Sequence, residues 1–339
     1  MKRLLILMIL SLLIINCENN PSKSNDKLKG ECFILCEGNF GSNNSSLWQY
    51  DGKDTQGPVY WDLTTNTLGD VGQSLTIDDN RLFIIVNNSH NIEVLDLESL
   101  DNLETISLPF SSPRYFAVKD NFGYVSSWGA QGIIKVDLNS YTAVDTISVG
   151  ALPEYMIVDG NMMYVSITMN SMWGSENKVF SYDLSMNSPV ALDTFEVVSG
   201  PGKMLLKDNE LWVASTYYDD AWQSYAGMSK IDLITKNVIT KDYGVTFDFA
   251  RDLIEFDGSV YQTYSDGIVK IGNDLNFITA EKIGTLSKKV YSANVKDNKI
   301  YLGTTDYAAP DTVFVLNKDG EIEDELKVGA IPAAMVFMK

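Results

Sequence analysis

Residues 79–97 read DNRLFIIVNNSHNIEVLDL: a tight Asp79-Asn80 pair, an apolar run from Leu82 to Val86, a short polar bend, and a second run ending in Asp96-Leu97. Asp and Asn tolerate the positive φ that a two-residue hairpin turn needs, and apolar or β-branched runs on both sides of such a turn read as strands. The unit recurs. Further turns fall at Asp120-Asn121, Asp159-Gly160, Asp208-Asn209, Asp257-Gly258 and Asp297-Asn298, at spacings of 41, 39, 49, 49 and 40 residues. Strands follow them in NFGYVSS, NMMYVSI, NELWVAS, GSVYQTY and NKIYLGT. A third strand ends in Asp-Leu at Leu97, Leu138, Leu184 and Leu233, and a fourth follows, as in ETISLP and DTISVG.

Four short strands every forty to fifty residues predict an all-β fold, a β-propeller of four-stranded blades. The chain ends set the blade count. The last ten residues, AIPAAMVFMK, alternate like a first strand and then stop, whereas FILCEGNF, SSLWQYD and VYWDL near the start look like second, third and fourth strands. Joined, they make one composite blade that closes a ring of seven by pairing the C-terminal strand with N-terminal ones, removing the free sheet edges.

Composition bounds the function. The 339 residues carry 45 acidic and 26 basic side chains and one histidine, a formal net charge of −19. A nucleic-acid partner is not expected, because binding phosphate backbones needs clustered Lys and Arg. One histidine cannot build a multi-His metal site. Cys32 and Cys36 lie in a strand-like stretch that would hold their α-carbons about 13 Å apart, beyond disulfide reach, so they read as buried thiols.

Residues 1–17, MKRLLILMILSLLIINC, join a basic start to an apolar run too short to span a bilayer, which predicts a signal peptide over residues 1–16. The run ends at Cys17 in a segment that resembles a bacterial lipoprotein box, with Asn16 in place of the usual small residue. That resemblance implies a lipidated Cys17; the alternative is an ordinary secretory peptide. Residues 17–29 would then form a polar tether, and residues 30–339 the propeller.

At NNSHNIEVLDL the second blade resembles the YVTN-type propeller repeat, and the whole body is similar to YncE-like surface propellers. The opening FILCEGNFGSNNSSLWQYD is similar to the start of a group of Bacteroidetes surface lipoproteins. Glu37-Gly38, Gly41, Asn43-Asn44 and Tyr50-Asp51 occupy the matching places, with Cys36 standing where Asn is usual. Some relatives in that group are vitamin B12-capturing lipoproteins of the BtuG type, seated over TonB-dependent transporters. The resemblance therefore implies an outer-membrane, surface-exposed binding lipoprotein with a small-molecule ligand, a corrinoid being the leading one, and a TonB-dependent transporter as partner.

A ligand site is expected on the face shared by the strand 2 to 3 loops and the strand 4 to next strand 1 loops. From turn to third-strand Asp the second and third blades take 17 residues (79 to 96, 120 to 137), but the fourth and fifth take 24 (159 to 183, 208 to 232). The extensions TMNSMWGSENK and TYYDDAWQSYAGM place Met169, Met172, Trp173, Tyr217, Tyr218, Trp222 and Tyr225 in loops on one face, with Trp128 in the equivalent loop of the third blade. Clustered exposed aromatics mark binding surfaces; the alternative is that they pack together to stiffen long loops. At the funnel mouth the equivalent first-strand register falls near Ser74, Arg114, Glu154, Lys203, Arg251, Ser292 and Ala333. Arg114 and Arg251 would form an anion-favouring spot, or would instead pair with Glu154, Asp248 or Asp252. His90, at the tip of a short hairpin, fills a polar turn or projects as an axial metal ligand.

Three functions remain open: a solute-binding module, a scaffold for protein partners, and an enzyme resembling streptogramin-opening lyases or quinoprotein dehydrogenases. Neither a GxSxG elbow, nor an HExxH pair, nor a phosphate-cradling glycine loop is present, so binding without a resident cofactor is the expectation.

Overall fold

In the computed structural model the described residues are 31–60, 67–186, 188–246, 252–308 and 310–338. They form 28 strands in seven four-stranded antiparallel sheets, with no helix among the described residues. The expected composite blade is present: β28 (Pro332–Phe337) pairs with β1 (Cys32–Cys36), followed by β2 (Ser46–Tyr50) and β3 (Thr55–Tyr60). Its outer strand begins at Thr55, earlier than the VYWDL segment suggests. The other six blades each use four consecutive strands, from β4 (Gly72–Asp78) to β27 (Ile322–Val328).

Every interblade gap holds its own apolar core. Phe33, Leu35 and Leu82 pack between the first and second blades, and Cys32, Ile34, Val313 and Val315 close the seventh gap. Middle strands are thus buried on both faces, which is why β1 and β5 (Arg81–Val86) read as continuous apolar runs rather than alternating ones. Cys32 and Cys36 are buried free thiols within β1, as the sequence implies.

The repeated Asp-Leu has a physical cause. Asp96, Asp137, Asp183 and Asp232 accept backbone N–H groups of the strand 3 to 4 turns, as from Glu98 and Ser99 to Asp96 Oδ1. The following leucines donate their N–H to the strand 1 to 2 turn: Leu97 to Asn80 O at 2.9 Å, Leu138 to Asn121 O at 2.9 Å, Leu184 to Asn161 O at 2.8 Å and Leu233 to Asn209 O at 3.0 Å. One dipeptide therefore ties two turns together on the face opposite the expected site. The six strand 1 to 2 turns are two-residue loops; the third is Gly160-Asn161, because Asp159 still pairs with Met162. Asp208-Asn209, Asp257-Gly258 and Asp297-Asn298 have positive φ at both positions, as type I′ hairpins need.

Around the central channel, side chains stitch neighbouring first strands. Ser74 Oγ donates to Arg114 O (2.8 Å), Thr76 Oγ1 to Phe116 O (2.8 Å), Ser292 Oγ to Pro332 O (2.6 Å) and Asn294 Nδ2 to Met335 O (2.9 Å).

Candidate functional site

Six aromatic side chains are exposed among the described residues: Phe40, Phe110, Trp173, Tyr218, Trp222 and Tyr307. Five sit on strand 2 to 3 or strand 4 to 1 connections and Tyr218 is the last residue of the strand leading into one, so all six lie on one face. The remaining exposed large apolar residues of the outer strands and opposite turns are aliphatic, such as Leu103, Val144 and Ile234. Phe40, Phe110 and Tyr307 were not singled out from sequence. A signal was there, since each lies in a short Gly-, Ser-, Pro- or Asp-containing connection where an aromatic has no core to join.

The two extensions are not loose loops. They lengthen hairpins, β13 (Met162–Asn170) with β14 (Ser175–Asp183) and β17 (Glu210–Tyr218) with β18 (Ser224–Asp232), so the aromatics ride on paired strands and tight tips. The tips share one construction. Asn170 Oδ1 accepts the N–H groups of Met172 and Gly174 while Trp173 N–H donates to Asn170 O; Asp219 Oδ1 accepts those of Ala221 and Gln223 while Trp222 N–H donates to Asp219 O. This geometry puts Trp173 at φ 67° and Trp222 at φ 61°. Gly or Asn suits that left-handed position, and a bulky side chain there costs about 1 kcal/mol or more. The two indoles are nonetheless 64% and 83% exposed, so burial does not offset the strain. Strain kept at an exposed aromatic makes the position a candidate for function.

Trp128 is half-buried: the Arg114 guanidinium lies 4.2 Å over its ring and Trp173 meets it edge-on at 5.8 Å. Trp128 Nε1 is buried with no acceptor among the described residues. Tyr217 and Tyr225 stack at 5.1 Å, their hydroxyls donating to Asp242 Oδ2 (2.6 Å) and Asp219 Oδ2 (3.1 Å). Burial and the Asp242 bond push the Tyr217 phenol up to about 12. Tyr218 and Trp222 sit 6.2 Å apart.

Of the two readings of Arg114, the structure shows the pairing with Glu154. Arg114 Nε and Nη2 donate to the two Glu154 oxygens at 2.9 and 2.7 Å, and Nη1 donates to Gln73 Oε1 at 2.6 Å. Lys203 pairs with Asp252 at 3.0 Å, its ammonium 5.1 Å from both the Tyr115 and Tyr155 rings. Burial disfavours both cations, but the facing carboxylates more than offset it, so both pKa values lie above ordinary. Arg251 lies outside the described residues. The channel holds a cavity of about 310 Å³ lined by Tyr115, Tyr155, Lys203, Asp252, Ser74 and Ser292 among others. Tyr115 and Tyr155 thus hold the channel positions expected for Arg114 and Glu154.

His90 has φ 57° and its Nδ1 accepts Ser112 N–H at 3.0 Å, which fits the polar-turn reading. Among the described residues no group of three or more His, Cys, Asp or Glu converges as a metal site.

The fold and its loop face define a seven-bladed β-propeller protein with an aromatic-rich surface. Within that class, the chain belongs to the family described as a domain of unknown function, DUF5074, whose model matches residues 29–321. No curated protein matches the sequence. Among solved structures it is similar to hydrazine synthase of Kuenenia stuttgartiensis, with 15% identity, TM-score 0.59, and 78% of this chain and 88% of that one covered. It is also similar to BamB from Moraxella catarrhalis (17%, 0.55, 92% and 87%) and to virginiamycin B lyase from Staphylococcus aureus (11%, 0.57, 76% and 84%). At such identities the likeness shows the fold.

Proposed function

We propose that this protein is an outer-membrane-anchored capture lipoprotein that holds a solute against the aromatic face of the propeller and presents it to a transporter. The observation that carries the reading is the confinement of all six exposed aromatics among the described residues to one face, four of them (Phe110, Trp173, Trp222 and Tyr307) held at positive φ without burial. Rigid scaffolds that aim loop aromatics at solvent are built to be covered. The resemblance to vitamin B12-capturing lipoproteins puts a corrinoid first among solutes to try and a TonB-dependent transporter first among partners.

Tryptophan fluorescence titration with cyanocobalamin, cobinamide and haem, corrected for inner-filter effects, tests the corrinoid. Stacking on one indole contributes about 1 kcal/mol, so Trp173→Ala or Trp222→Ala should weaken binding about fivefold and the double variant more. His90→Ala should bind as wild type. No saturable quenching by any tetrapyrrole would discard the corrinoid, and binding untouched by the double change would move the site off the extended hairpins.

The anchor rests on Cys17, outside the described residues. Metabolic labelling with a clickable palmitate analogue should tag wild type and spare Cys17→Ser, and protease shaving of whole cells should release the propeller if it faces outward. Equal labelling of both proteins would remove the anchor. A scaffold role uses the same face, because exposed Trp and Tyr also anchor protein interfaces. Cross-linking that captures a protein partner without any solute would favour it.

A further inference from the structure

On the reading that this face is the binding surface, its side chains also specify what it binds. Three aromatic pairs follow one another around the ring. Trp128 and Trp173 meet between the third and fourth blades. Tyr217 and Tyr225, cross-strand partners, share the alternation phase of Val213, which belongs to the core between the fourth and fifth blades, so they top that cleft. Tyr218 is in phase with Trp212 and Ala214, in the core between the fifth and sixth blades, and carries Trp222 with it to the next cleft. The result is an arc of three aromatic stations over three successive clefts.

Charges along the arc are already satisfied within the protein. Arg114 is held by Glu154, Lys178 by Glu176 at 3.4 Å and Lys203 by Asp252. Asp219 accepts two N–H groups and the Tyr225 hydroxyl; Asp242 accepts Gly244 N–H and the Tyr217 hydroxyl. Asp220, exposed at the fifth-blade tip, is the solvated exception. An anionic ligand would meet carboxylates and no uncommitted cation among these groups.

We infer that the arc binds a neutral oligosaccharide, extended across the fourth and fifth blades with successive sugar rings against the aromatic pairs. A pyranose ring has an apolar C–H face that lies flat on an indole or phenol and a rim of hydroxyls that needs acceptors. Asp219 and Asp242 supply these at the central station, since an ionised carboxylate keeps acceptor capacity beyond the bonds it makes here. Tyr217 and Tyr225, bonded to those carboxylates, are fixed in place before any ligand arrives, which lowers the ordering cost of binding.

Affinity electrophoresis of the purified protein through gels containing a xyloglucan, a mannan, an α-glucan or polygalacturonate tests this, with cyanocobalamin titrated in parallel. At least one neutral polysaccharide should retard wild type, equally at low salt and at about 0.5 M NaCl, where exposed charge interactions are screened. Affinity should rise from its disaccharide to its hexasaccharide as successive stations are filled. Trp173→Ala and Trp222→Ala should each weaken retention about fivefold and together about twenty-five-fold, with melting temperatures unchanged because both indoles are exposed. Retardation by polygalacturonate alone, or retardation abolished by salt, would overturn the neutral-sugar assignment and leave the binding face standing. Saturable corrinoid binding without glycan retention would do the same. Retention by no glycan together with binding of no tetrapyrrole would overturn both the assignment and the capture reading.

Discussion

Deleting residues 330–339 should leave a chain with no cooperative unfolding transition. β28 forms the innermost strand of the composite blade, with Phe33 opposite Val336, Ile34 opposite Met335 and Leu35 opposite Ala334. Met335 is buried in the core between the seventh and first blades, while Ala334, Val336 and Met338 pack against the core between the first and second. The cut also strips Ser292 and Asn294 of the carbonyls that they bond, and Asp311, fully buried, of the Ile331 N–H at 2.9 Å. Burying one such side chain is worth about 1.5–3 kcal/mol, and each buried polar group left unmatched costs about 1–3 kcal/mol. Their sum rivals the whole stability of a domain, about 5–15 kcal/mol. Calorimetry should lose its transition and size-exclusion chromatography should show aggregates pairing through the bared edge of β1. A melting temperature equal to that of wild type would mean that the ring does not close through this segment.

Arg114→Ala is the point change with the largest expected cost. It leaves the Glu154 carboxylate, 12% exposed, without its bidentate partner and removes the cation covering Trp128. Breaking a buried pair from one side costs about 3–5 kcal/mol, whereas replacing both members with apolar residues of similar volume is often near neutral. Urea denaturation should therefore show Arg114→Ala far less stable than Arg114→Met/Glu154→Leu. A loss below about 1 kcal/mol would place the pair in the solvated class.

Much of this architecture is legible in the sequence because its signals are local. Asp208-Asn209 or Asp297-Asn298 fixes a hairpin within four residues, and the Asp-Leu that ends each third strand repeats because the same two turns need the same two bonds. The tryptophans at positions 173 and 222 were visible for a related reason: an insertion between repeats shows where the unit departs from its own pattern. Their exposure was visible too, but their positive φ was not, since it follows from how the hairpin tip is bonded.

The funnel residues illustrate the limit. Matching first-strand register from blade to blade placed Arg114 and Glu154 at the channel beside Ser74, Lys203, Ser292 and Ala333, yet Tyr115 and Tyr155 line it with those four. Pairing with the second strands is irregular between Pro113 and Phe116 and between Pro153 and Met156, and a bulge there lets the register counted from the turns slip by one residue, which sequence spacing does not show.

By itself, then, the sequence determined the blade, the number of blades, the composite closure and the face that carries the inserted tryptophans, all encoded in short windows repeated along the chain. Tertiary structure alone decided the charge state of that face. Whether Arg114 is a free anion site or a neutralised one depends on Glu154, 40 residues away on the next blade, and only the curvature of the closed ring brings the two within 2.7 Å.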